Sequence, residues 1–77
     1  MPRTVPAPTS VALPSLVHWR VQRGFTQAEL AELIGVRRAT VARIESGKPA
    51  LVKTARAIAE ALGVEVADLQ RQSPPAS

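Results

Sequence analysis

A chain of 77 residues with no cysteine, one histidine and two aromatics makes one small domain. Chains of this size bury only about 60% of their unfolded surface, so an additional subunit would help stabilise it. With no disulfide, no thiolate ligand and no close nucleophile–base pair to be found, neither catalysis nor a metal or other cofactor is expected. The net charge is +4 but unevenly spread: residues 37–56 hold Arg37, Arg38, Arg43, Lys48, Lys53 and Arg56 against Glu45 alone, a local +5 that suggests a surface facing a polyanion.

The opening stretch MPRTVPAPTSVALPS carries four prolines and no apolar run of the length a signal peptide or membrane span needs. It reads as a flexible arm over residues 1–14 of a cytoplasmic protein with no membrane partner. Helical periodicity starts after Ser15, a candidate N-cap, and places Leu16, Trp19 and Arg23 on one side of LVHWRVQR. Each of the four glycines, Gly24, Gly35, Gly47 and Gly63, follows a helical segment, where a left-handed residue closes a helix. Five helices follow from those four stops. The second has Thr26 and Glu29 as a capping box with Phe25 and Leu30 at the staple positions, and an inward face of Ala28, Leu30, Ala31, Leu33 and Ile34. The third begins at Arg37 or Arg38 and turns Val41 and Ile44 inward. The fourth runs from about Leu51 to Leu62 and buries Val52, Ala55, Ile58, Ala59 and Leu62 at steps of three and four. The fifth is EVADLQ, with Val66 and Leu69 as its apolar pair. No alternating run suggests a strand, so the class is all-α: a compact domain over residues 15–70 with a flexible tail at 71–77.

Two short amphipathic helices separated by a turn at Gly35 have the spacing of a helix-turn-helix. The residues narrow the reading. FTQAELAELIGVRRATVARIESGK resembles the phage-repressor and Cro-type family, also called the XRE family, in its hydroxyl–Gln start, Leu-Ala pair, turn glycine and Glu-x-Gly-Lys ending. The likeness extends from about Leu16 to Leu69. It departs from the family at two caps, where Arg37 and Leu51 stand in place of Ser or Thr. The resemblance implies a lambda-repressor-like bundle that binds double-stranded operator DNA as a homodimer, with the third helix in the major groove.

Arg37 and Arg38 make an unfavourable start for a helix, because the N-terminus carries partial positive charge; each cation there costs about 0.3 to 1 kcal/mol. Beside DNA the same residues face anions. A bidentate arginine–guanine contact is worth about 1 to 3 kcal/mol of discrimination, which exceeds that cost. The outward face is Arg38, Ala39, Ala42, Arg43 and Ser46, and the resemblance implies Arg38, Ala39, Thr40 and Arg43 as base readers. Gln27, Arg37, Lys48 and Lys53 are the expected phosphate contacts. The resemblance further implies an internal ion pair between Arg20 and Glu45. Candidate dimer contacts are Val64, Glu65, Val66 and Leu69. Trp19 and Phe25 fit core positions, and His18 a surface one.

The expected function is a sequence-specific transcription regulator, a repressor by family analogy. The alternatives are an antitoxin whose arm also covers a toxin protein, and a restriction-modification controller.

Overall fold

Short helices and one small strand pair make up the computed structural model, which describes residues 9–72. The order is β1 (Ser10–Val11), α1 (Leu16–Gln22), α2 (Gln27–Ile34), α3 (Arg38–Glu45), β2 (Ala50–Leu51), α4 (Val52–Leu62) and α5 (Val66–Gln70). The domain is mostly helical, but the expectation of no strand needs correction. β1 pairs antiparallel with β2 in the register Ser10 to Leu51 and Val11 to Ala50, and the Val52 N–H donates to the Thr9 carbonyl at 3.0 Å. Two-residue strands are too short to show a period of two, which is why the sequence pattern is silent about them.

The same pairing shortens the expected N-terminal arm. Leu13 is only 2% exposed and belongs to the core, and Val11 packs against that core. Residues 1–8 and 73–77, the remainder of the expected arm and tail, lie outside the described residues. At the other end, Ser15 does not cap α1 with its side chain. Its hydroxyl donates to the Arg71 carbonyl and its N–H donates to the Leu69 carbonyl at 3.0 Å, so the start of α1 is tied to the end of α5.

α2 carries the predicted capping box: the Glu29 N–H donates to Thr26 Oγ1 at 3.0 Å, and the Thr26 N–H donates to Glu29 Oε1 at 2.9 Å. Its inward face is narrower than predicted. Leu30 and Ala31 are buried and Ile34 packs beside them, whereas Ala28 is exposed and Leu33 is 57% exposed. At about 100° per residue, Ala28 and Leu33 fall roughly 110° to either side of the Leu30–Ala31–Ile34 line. The same rotation puts Gln27 close to that line. Gly35 closes α2 with φ 75°, a left-handed conformation that favours glycine, and the Val36 N–H returns to the Ala31 carbonyl at 2.9 Å.

Val41 and Ile44 of α3 and Ala55, Ile58, Ala59 and Leu62 of α4 are buried as the periodicity predicts; Val52 is half-buried. α5 starts with the Asp68 carboxylate accepting from the Glu65 N–H at 3.0 Å. Leu69 is fully buried in this chain's own core, so its assignment to a dimer contact is corrected. A five-residue helix has one apolar side, and here that side closes the bundle next to α1 and α4. Val64 and Val66 are half-buried against the same core, and of the four proposed dimer residues Glu65 alone is exposed.

Because Leu13 is a core residue rather than part of an arm, Leu13→Ala should cost about 2 to 5 kcal/mol in urea unfolding. A loss below about 0.5 kcal/mol would return residue 13 to the arm.

Candidate nucleic-acid interface

α3 is held by its last residue. The Glu45 carboxylate accepts from Arg20 Nε at 2.5 Å and from Arg20 Nη2 at 3.1 Å, and its Oε1 also accepts from Gln27 Nε2 at 2.8 Å. Arg20 Nη1 donates to the Phe25 carbonyl in the α1–α2 turn at 2.7 Å. One carboxylate therefore joins α1, the first turn of α2 and the last turn of α3. The Arg20 and Glu45 side chains are 14% and 7% exposed. Hydrogen bonding to Glu45 holds the Arg20 guanidinium's pKa above its ordinary value against the opposing effect of burial.

This arrangement changes what Gln27 can offer. One N–H of its carboxamide is given to Glu45, which leaves the second N–H and the carbonyl oxygen for other partners. Gln27 is half-buried, as its place near the inward line of α2 requires.

Along α3, Arg38, Ala39, Arg43 and Ser46 are exposed, and Thr40 and Ala42 are half-buried. Arg37 occupies the N-cap position in extended conformation with no side-chain cap bond, so the first N–H groups of α3 gain nothing from it. At the far end the Ser46 hydroxyl donates to the Arg43 carbonyl at 2.7 Å and the Lys48 N–H donates to the same carbonyl at 3.1 Å. Lys48 follows directly from that turn. Lys53 stands in the first turn of α4, lining a groove with Ile34, Gly35 and Val36 of the helix-turn-helix turn. Among the described residues Arg20–Glu45 is the sole ion pair, so Arg37, Arg38, Arg43, Lys48 and Lys53 have no carboxylate to neutralise them. A row of exposed, uncompensated cations beside a helix with small alanines at its centre suits an anionic groove.

Arg23 is a structural residue the sequence reading did not single out beyond its spacing. Its Nε donates to the Leu62 carbonyl at 2.8 Å, and its guanidinium lies 5.2 Å from the Trp19 ring centroid. A cation at the C-terminus of α4 opposes the helix dipole there. Leu62 is far away in sequence, so no local pattern announces the contact. Trp19 packs against the core with His18 edge-on at 5.1 Å between ring centroids. Among the described residues no cluster of His, Cys, Asp or Glu could hold a metal ion, and no helix is long and apolar enough to cross a membrane.

The helix-turn-helix family profile matches residues 18–69. The solved structures that are similar include two regulators. The clp gene regulator ClgR from Corynebacterium glutamicum is 32% identical with a TM-score of 0.69, over 74% of this chain and 63% of that one. SinR, a master regulator for biofilm formation solved in complex with DNA, is 24% identical with a TM-score of 0.68, over 73% of this chain and 92% of its own. The chain thus spans under two thirds of the ClgR chain, and the SinR likeness is one of fold. Comparison with curated proteins gives no match.

Removing one partner of the buried pair strands the other, so Glu45→Ala should lose about 3 to 5 kcal/mol of stability. The double variant Arg20→Met, Glu45→Leu should recover most of it. Urea unfolding of the three proteins checks this; a single-variant loss under about 1 kcal/mol would mean that the pair does not hold the helices together.

Proposed function

From membership of the helix-turn-helix family, to which the chain belongs, we propose that it is a sequence-specific DNA-binding transcription regulator, not an enzyme, that reads operator DNA in the major groove with α3. The observation that carries the proposal is that Arg38 and Arg43, both exposed and without a carboxylate partner, stand on a helix locked to α1 and α2 through Glu45. A rigid backbone is what lets two arginines select base edges, because bidentate contacts tolerate little misplacement.

In this reading Arg38 and Arg43 address guanines, with Ala39 and Thr40 against thymine methyl groups. Arg37 and Lys48 bind phosphates at the two ends of α3, Lys53 does so from α4, and Gln27 contributes its remaining N–H. The free protein tolerates two cations at a helix N-terminus because the complex relieves them. The chain acts as a homodimer and a repressor, since one such motif reads only a few base pairs and two-fold pairing doubles the site. An antitoxin role has less support, because Thr9, Ser10, Val11 and Leu13 of the expected arm are used in the chain's own strand pair and core.

Arg38→Ala and Arg43→Ala should each cost about 1 to 3 kcal/mol on a duplex selected from a random pool and little on random DNA. Equal losses on both would make them phosphate contacts. Arg37→Ser should raise the stability of the free protein by about 0.5 to 2 kcal/mol by supplying a cap. It should weaken binding to both DNAs alike and reduce the salt slope by about 1.8 for a dimer losing one phosphate contact per subunit. Unchanged affinity would remove Arg37 from the interface.

A further inference from the structure

Four large apolar side chains are exposed among the described residues, and two of them, Leu33 at 57% and Leu51 at 61%, lie on three adjoining hollows along α2 and α4 that share Leu33, Ile34 and Ala57 and form one shallow groove. The groove runs from Phe25 and Leu33, past Ile34, Ala57 and Ala61, to Val36 and Leu51. Its two ends differ in charge. Glu29 and Glu32 line the Phe25 end, Glu60 the middle, and Lys53 the Leu51 end. Half of the chain's six acids therefore edge one apolar strip in a protein of net charge +4.

We propose that this groove is the self-association face, covered by the same groove of a second copy turned end over end about a two-fold axis near Ala57. Two-fold contacts use one patch on both subunits, so the patch has to complement itself. Turning the strip end over end lays the acidic end of one copy on the Lys53 end of the other and apolar side chains on apolar ones. Pairing in the same direction would set acid against acid. A second copy fits better than an unrelated partner because the strip carries both signs of charge along its own length. Ala57, common to the middle and the Leu51 end of the groove, is small enough for two α4 helices to approach closely there. None of Arg37, Arg38 and Arg43 lines the strip, so the face leaves the outward side of α3 free. This inference rests on the homodimer reading above and assigns its surface. Lys53 belongs to both readings, and the test therefore avoids it.

The full chain has no cysteine, so Ala57→Cys introduces a single thiol. Residues related by the two-fold axis can form a disulfide only if their Cα atoms come within about 7 Å. Mild oxidation should link Ala57→Cys into a dimer and leave Val21→Cys, exposed on α1, monomeric. Sedimentation velocity should give a self-association constant at least tenfold weaker for Leu33→Glu than for the wild type, with thermal melting unchanged. A wild type that stays monomeric throughout, a Leu33→Glu variant that associates as the wild type does, or equal cross-linking at positions 21 and 57 would overturn the proposal. Titration of the pool-selected duplex separates the two readings. Two chains on one duplex with unimpaired Leu33→Glu association would place the dimer contact elsewhere and leave DNA reading intact. Position-57 cross-linking without sequence preference on DNA would do the reverse.

Discussion

Three helices meet on one carboxylate. Glu45 accepts three N–H donors, two from Arg20 and one from Gln27, and each donor comes from an element that α3 must be held against. A buried charge is costly unless it is paired and hydrogen-bonded, and this one is both, from α1 and α2 together. The pair's net contribution to stability is small by comparison with its control over orientation, because alternative packings of α3 would leave Glu45 or Arg20 buried and unpaired. The hydrophobic packing of α3, made by Val41 and Ile44 in the shared core, is non-directional and would accept a modest rotation of the helix. The carboxylate would not.

With its inner side fixed, α3 can afford an outer side that is poor for an isolated helix. Arg37 provides no cap, the first turn has no acid, and the exposed arginines have no carboxylate nearby. The missing cap, the missing acid and Arg38 in the first turn go against the dipole of the helix, whereas Arg43 in its last turn favours it, and the net cost is a small fraction of a typical domain's stability. Compensation elsewhere is visible in the capping box of α2, the Asp68 contact at the start of α5 and the Arg23 contact at the end of α4. Strain of this kind, local and surrounded by elements that satisfy the ordinary rules, is what a binding surface shows before its ligand arrives.

Much of this was legible in the sequence because its signals are local. The Thr26–Glu29 box, the turn at Gly35 and the three-and-four spacing of α4 each lie within a dozen residues, and the family resemblance from Leu16 to Leu69 supplied the ion pair. What the sequence did not reveal depends on contacts distant in the chain. The pairing of Ser10–Val11 with Ala50–Leu51 drew Leu13 into the core, Ser15 turned its hydroxyl to Arg71, and Arg23 found the Leu62 carbonyl. Leu69 was misassigned because an apolar residue near a chain end reads alike whether it meets its own core or another subunit. Leu33 was misassigned in the opposite sense, as a hydrophobic residue taken for core that stands on an open groove.

The central claim is that α3, oriented through Glu45, is the DNA-reading element. Amide chemical shifts followed by NMR as a pool-selected duplex is added test it most directly. The largest changes should fall on Arg38 to Arg43 and the first turn of α2, with the Glu45 and Arg20 amides little moved because their network is already formed. Changes concentrated on the α2–α4 groove or on Val17 and Val21 of α1, with the amides of α3 unmoved, would contradict it.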